Sequence, residues 1–175
     1  EIQRDLKSIL KSRIGKGKII ILIGPRQVGK TTLFKSMISE AGFLDTAQYW
    51  NCDESDVRSM LTKESSAHFR PLIGKSKFIV IDEAQRVKNI GLILKILYEN
   101  FQDVQFAVTG SSSLDLSNTL NEPLTGRKFE YNLFPFSTNE LVHNSSMSDN
   151  NKTFFSFPCH GGPRPSFLFA EAYQL

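Results

Sequence analysis

One short word constrains this chain more than anything in its composition. Residues 24–31 read Gly-Pro-Arg-Gln-Val-Gly-Lys-Thr, which fits the spacing G-x-x-x-x-G-K-[ST]. The apolar run 19–23 precedes it, and Leu33, Met37 and Ile38 follow at helical spacing until Gly42. Strand, glycine turn and amphipathic helix in that order make a site for an anion. The glycines let successive backbone N–H groups turn inward as a nest, and the helix beginning near Lys30 adds the positive end of its dipole. Lys30 is then placed to lie between the β- and γ-phosphates of a nucleotide, and the Thr31 hydroxyl is a hard oxygen ligand for Mg²⁺. At ordinary residue frequencies the four fixed positions coincide by chance in fewer than about 1% of chains this long. The candidate phosphate-binding residues are Gly24, Pro25, Arg26, Gln27, Val28, Gly29, Lys30, Thr31 and Thr32.

Two later strand ends carry matching chemistry. Phe78-Ile-Val-Ile81 is an apolar strand closed by Asp82 and Glu83. At the C-terminal edge of a parallel sheet these carboxylates would open into the ligand crevice. Asp82 is suited to hold Mg²⁺ through its water shell, and Glu83 to polarise a water for in-line attack. The competing assignment is a helix N-cap after a strand. The strand at 104–108 runs into Thr109, Gly110 and Ser111. Either hydroxyl can orient the attacking water, and either can instead cap a turn, so the sequence leaves Thr109 and Ser111 open. Arg127 precedes a further strand, where it is either a surface side chain or a group that offsets charge in the transition state.

The spacing of apolar residues predicts helices over 2–14, 31–41, 55–63 and 90–101, and strands over 19–23, 48–52, 78–81, 104–108 and 128–133. Ser137-Thr-Asn-Glu140 has the form of a capping box that opens a last short helix. Alternating strands and helices predict an α/β fold, a parallel five-stranded sheet sandwiched by helices. The expected division is a core over 1–143, an Asn/Ser/Asp-rich linker over 144–152 and an irregular Phe/Pro-rich tail over 153–175. That tail holds five of the fourteen Phe and only two charged side chains, Arg164 and Glu171. Its phenylalanines are expected to seek an apolar face.

Composition excludes several classes. There is no run of eighteen apolar residues to cross a membrane. The opening Glu-Ile-Gln-Arg-Asp-Leu does not read as a signal peptide and lacks Met, as a piece of a longer protein would. Cys52 and Cys159 form no disulfide framework, and Cys159-His160 is no metal site, so a reduced cytoplasmic setting is expected. The net charge of +3 is too small to argue for nucleic acid by itself. The basic residues Lys7, Lys11, Arg13, Lys16 and Lys18 read first as a solvated face.

The ordered motifs resemble a known group. IIILIGPRQVGKTT at 19–32, IDEAQ at 81–85, TGSSS at 109–113, LTGR at 124–127 and LFPFSTNEL at 133–141 are similar to prokaryotic AAA-type ATPases that carry a C-terminal domain of unknown function. The resemblance covers residues 2–142. It implies ATP as the nucleotide and an extra strand between the phosphate-loop strand and the acidic strand. It puts Lys30 and Thr31 on the Walker A positions and Asp82 and Glu83 on the Walker B positions. Thr109 or Ser111 becomes sensor-like, and Arg127 falls on the family's Gly-Arg word. The expected function is a Mg²⁺-dependent ATPase core, capable of self-association. The alternatives are a nucleotide-binding switch with negligible turnover and a nucleic-acid-stimulated motor fragment. The family usually continues through a winged-helix-like segment and a second domain, whose client is not legible here, and the tail departs from that pattern.

Overall fold

Three apolar runs with almost no polar interruption can satisfy both faces only as central strands of a covered sheet. The computed structural model describes residues 4–111, 123–138 and 140. In it, β1 (Ile19–Ile23), β3 (Phe78–Asp82) and β4 (Gln105–Gly110) are buried almost end to end. The edge strands β2 (Ala47–Asn51) and β5 (Lys128–Asn132) are only half-buried. The strand order is β2-β3-β4-β1-β5, with every pair parallel. β4 is thus the extra strand between the phosphate-loop strand and the acidic strand.

Helices cover both faces, as the alternation along β1 requires. Ile19, Ile21 and Ile23 point into a core shared with α3 (Ser55–Leu61), α4 (Ser66–Ile73) and α5 (Ile90–Asn100). Ile20 and Leu22 point the other way, against Leu10 of α1 (Leu6–Arg13) and against Leu33, Phe34, Met37 and Ile38 of α2 (Lys30–Glu40). Two residues of the expected solvated basic face have partners: Lys7 and Lys11 both donate to Glu40 and dock α1 on α2. Those two hydrogen bonds pull the Glu40 carboxyl down to about 2.

The helix α4 was not expected. Its eight residues contain Pro71, which lacks an N–H and normally breaks a helical pattern. Burial of Phe69 and Ile73 against the sheet holds it nonetheless. The capping box is made, with Glu140 N–H donating to Ser137 Oγ at 3.1 Å and Ser137 N–H to Glu140 Oε2 at 2.8 Å. Ser112, Ser113, the expected linker over 144–152 and the tail over 153–175 lie outside the described residues. Among those described, no helix is long and apolar enough to cross a membrane.

The phosphate-loop word fits where it does because Gly24 has no side chain. Gly24 N–H donates to Gly110 O, and Leu133 N–H donates to Ile23 O at 2.7 Å, so backbone closes on both sides. A Cβ on Gly24 would meet the Leu133 carbonyl oxygen at 2.3 Å. The obstacle is backbone at the junction of three strands and cannot swing aside. Gly24→Ala is therefore expected to cost about 1–3 kcal/mol in stability, the usual range for overpacking. A lowered urea midpoint, followed by the fluorescence of the single buried Trp50, checks this. An unchanged midpoint would show that the loop relaxes freely.

Candidate functional site

The turn from β1 into α2 takes two backbone conformations that its sequence must tolerate. Gly29, the residue before α2, has φ 97°, open only to glycine at low cost. Gln27 has φ 62°, a left-handed position for a side-chain-bearing residue. Lys30 begins the helix and is buried. Its ammonium donates to Gly24 O at 2.8 Å and Pro25 O at 2.9 Å, so the side chain folds across its own loop. Burial lowers the pKa of Lys30. The Glu83 and Asp82 carboxylates oppose part of that fall, and Arg26 adds to it.

The sheet brings the acidic strand to this loop. Thr31 donates its hydroxyl to Asp82 Oδ2 at 2.8 Å. Thr109, fully buried on β4, donates to Asp82 Oδ1 and accepts the Glu83 N–H at 3.1 Å. Of the two hydroxyls left open by the sequence, Thr109 is the one that joins the acidic pair. Ser111 joins through its backbone, donating its N–H to Gln85 Oε1 at 3.3 Å. The Gln85 amide in turn donates to Glu83 Oε2. Glu83 has φ 53°, a second left-handed non-glycine residue at the site, where such strain commonly collects.

Asp82 offers hard oxygen atoms whose present partners are hydroxyl groups. None of the ion pairs among the described residues involves it. That chemistry fits a Mg²⁺ held by Thr31 and, through water, by Asp82. No cluster of three or more His, Cys, Asp or Glu with metal-binding geometry occurs among the described residues. Such a cation would therefore depend on phosphate and water for most of its shell.

A cavity of about 630 Å³ flanks the loop, lined by Arg4, Val28, Gly29, Thr32, Leu33 and Phe136. Its size suits a small-molecule site, commonly about 300–1,000 Å³. A second cavity of about 310 Å³ lies at the far edge of the sheet, between Gly15–Ile19 and Tyr98–Phe106, and no phosphate-loop residue lines it. Arg127 lies at that far edge as well. Its carbonyl accepts the Ile19 N–H at 3.0 Å, and its guanidinium faces Glu99 at 3.3 Å. The length of β1, about 16 Å at 3.3 Å per residue, separates it from the phosphate loop of its own chain.

Three residues at the site were missed by sequence reasoning: Arg4, Gln85 and Glu140. Gln85 stands in the quoted DEAQ word, where only the carboxylates were assigned chemistry. Arg4 lies among other basic residues with nothing local to distinguish it. Glu140 carried only a capping assignment.

Residues 16–142 match a family described as an AAA domain. Two curated relatives, uncharacterized proteins of Mycobacterium bovis (Mb2031c) and Mycobacterium tuberculosis (Rv2008c), are each 29% identical over 126 residues, or 71% of this chain. The matched part is 27% of each relative's length, so the chain spans about a quarter of these proteins. Among solved structures, a chain of Drosophila ORC bound to DNA superposes with a TM-score of 0.54 at 15% identity, covering 79% of this chain and 94% of that one. A chain from a structure of two coordinating Pif1 helicases at forked duplex DNA gives 0.52 at 14% identity, covering 87% and 53%. At such identities the likeness is one of fold, a parallel phosphate-loop sheet covered by helices.

Cys52 is fully buried just after β2, its N–H donating to Asp82 O at 3.0 Å. Burial, then the charge of Asp82, pushes its thiol up to about 12. Because the thiolate is the nucleophile, alkylation of Cys52 at about pH 8 is expected to be about 10³-fold slower in the folded chain than in the denatured one. Peptide-resolved mass spectrometry after iodoacetamide treatment separates Cys52 from Cys159. Rapid labelling of the folded protein at Cys52 would contradict the buried placement.

Proposed function

We propose, from the premise that the chain belongs to this AAA domain family, that it binds ATP with Mg²⁺ and hydrolyses it to ADP and phosphate. The observation that carries the reading is the hydrogen-bonded line from Thr31 through Asp82 and Thr109 to the Glu83 backbone, at the strand edge where Lys30 begins its helix. The triphosphate would lie on the backbone N–H groups of 24–31, and the nucleoside would enter the cavity beside Gly29 and Thr32. Bound Mg²⁺ would supply charge neutralisation of the β- and γ-oxygens. Lys30 would exchange its two loop carbonyls for phosphate oxygens. Thr109 would fix Asp82 and, through the Glu83 N–H, the turn that carries the base. Glu83 would accept the proton of the attacking water. A cytoplasmic setting belongs to this reading, supported by a buried Cys52 that has no disulfide partner among the described residues.

A second reading, a nucleotide-dependent switch with negligible turnover, draws support from Gln85. Its amide donates to one Glu83 oxygen, where it competes with an attacking water. Phosphate release with and without duplex DNA separates the two readings from a nucleic-acid-stimulated motor, a possibility raised by the DNA in the ORC and Pif1 structures. Lys30→Ala is expected to abolish tight MgATP binding. Glu83→Gln should keep binding and lose turnover by about 10²–10⁴-fold. Calorimetry with equal ATP affinity in Lys30→Ala and the parent would remove the phosphate-loop assignment, and parental turnover in Glu83→Gln would remove the base.

Arg127 enters this reading through self-association. Its distance from its own phosphate loop supports a role at the nucleotide of a neighbouring subunit, where it would leave Glu99 for the γ-phosphate. Arg127→Ala should then depress turnover by about 10³–10⁵-fold with little change in affinity. Specific activity should also rise with protein concentration. Turnover independent of concentration would exclude a contribution between subunits.

A further inference from the structure

The buried pair Arg4–Glu140 lies beside the loop and has no part in the proposed chemical step. Both side chains are less than one-tenth exposed. Arg4 Nη1 donates to Glu140 Oε2 at 3.1 Å, and Arg4 Nη2 donates to Val28 O at 3.0 Å and Phe134 O at 2.6 Å. Glu140 also accepts the N–H of Asp5 at 3.1 Å and of Ser137 at 2.8 Å. The Phe136 ring packs on the guanidinium, 4.0 Å from its carbon to the ring centre. Burial pushes the Glu140 carboxyl up, but the two backbone donors and Arg4 outweigh it, and the net shift is down.

The contact with Val28 bears on the phosphate loop directly. Val28 C=O and Gly29 N–H belong to one peptide plane, which is trans, so they point in opposite directions. Holding the carbonyl on Arg4 aims the Gly29 N–H away from Arg4. A glycine with φ 97° beside a left-handed Gln27 has little of its own to keep that plane from rotating. The guanidinium spreads its donors over two nitrogens in a rigid plane, so Nη1 takes Glu140 while Nη2 takes both carbonyls.

We propose that Arg4 is a positioning residue that fixes the Val28–Gly29 peptide for phosphate, and that Glu140 makes this orientation depend on the segment following β5. The inference rests on the nucleotide reading above and adds to it a coupling: whatever holds Glu140 in place tightens ATP binding, and ATP in turn tightens the hold on Glu140. That reciprocity is required of any linkage between two binding events.

The test compares the parent, Arg4→Lys, Glu140→Gln and Lys30→Ala for MgATP affinity, turnover and amide hydrogen exchange. Arg4→Lys keeps the charge and loses the fork. It should weaken MgATP affinity about tenfold, as expected for loss of a charged hydrogen bond. Glu140→Gln should shift affinity in the same direction, and it carries the test if Arg4→Lys does not fold. MgATP should slow exchange of the Asp5 and Ser137 amides in the parent but not in either variant. Parental affinity in folded Arg4→Lys or Glu140→Gln, alongside weakened binding by Lys30→Ala, overturns this inference alone. Lowered stability with unchanged affinity assigns the pair a structural role and overturns it too. No ATP binding by the parent overturns the nucleotide reading and the inference with it.

Discussion

The Asp82 carboxylate accepts one hydrogen bond from Thr31, on the helix after the phosphate loop, and another from Thr109, on the neighbouring strand. Parallel strands leave their C-terminal ends unjoined, each free to place its last side chain independently. One acidic residue with two donors removes that freedom for β1, β3 and β4 together. A buried Thr109 hydroxyl or an Asp82 oxygen left without its partner would cost about 1–3 kcal/mol, so the arrangement is held as a unit. Among the described residues, no buried side-chain polar atom lacks a hydrogen bond.

The fold was legible because its signals are local and strong. Ile19–Ile23 is apolar throughout, the strands Phe78–Asp82 and Gln105–Gly110 are apolar except at their ends, as buried central strands are, and α2 and α5 repeat their apolar residues at helical spacing. The helix over Ser66–Ile73 was not legible, because Pro71 masks a pattern that only the sheet beneath it makes stable. At the site, the glycine loop and the acidic pair are written as contiguous words. The difference between Thr109 and Ser111 is not, because it turns on which of two hydroxyls faces β3, a matter of strand register. Arg4 and Gln85 were invisible for a related reason. Their roles come from partners distant in sequence or from the bend of a turn, and no spacing rule reports either.

The placement of Arg127 shows how topology limits chemistry. β5 is parallel to β1, so the start of β5 and the end of β1 lie at opposite edges of the sheet. A residue just before β5 is thereby turned outward, away from its own loop, and faces whatever stands beside that edge. Its pairing with Glu99 at a partly exposed position is weak in energetic terms, since such surface pairs contribute about 0–1 kcal/mol. The guanidinium is held besides by the Pro123 carbonyl at 3.4 Å and by the Tyr98 ring.

The contact between Arg4 and Glu140 spans 136 positions, and this bears on the order in which the molecule is built. At about 5–20 residues per second, on the order of ten seconds of synthesis separate the two partners. The strand-loop-helix unit around 24–31 emerges early, with its carbonyl at Val28 still unheld. β2, β3, β4 and β5 follow in that order and complete the sheet. The Arg4–Glu140 contact needs both of its partners, so it cannot close before residue 140 is made. A nascent chain therefore carries the Gly24–Thr31 word long before the contact that spans it can form.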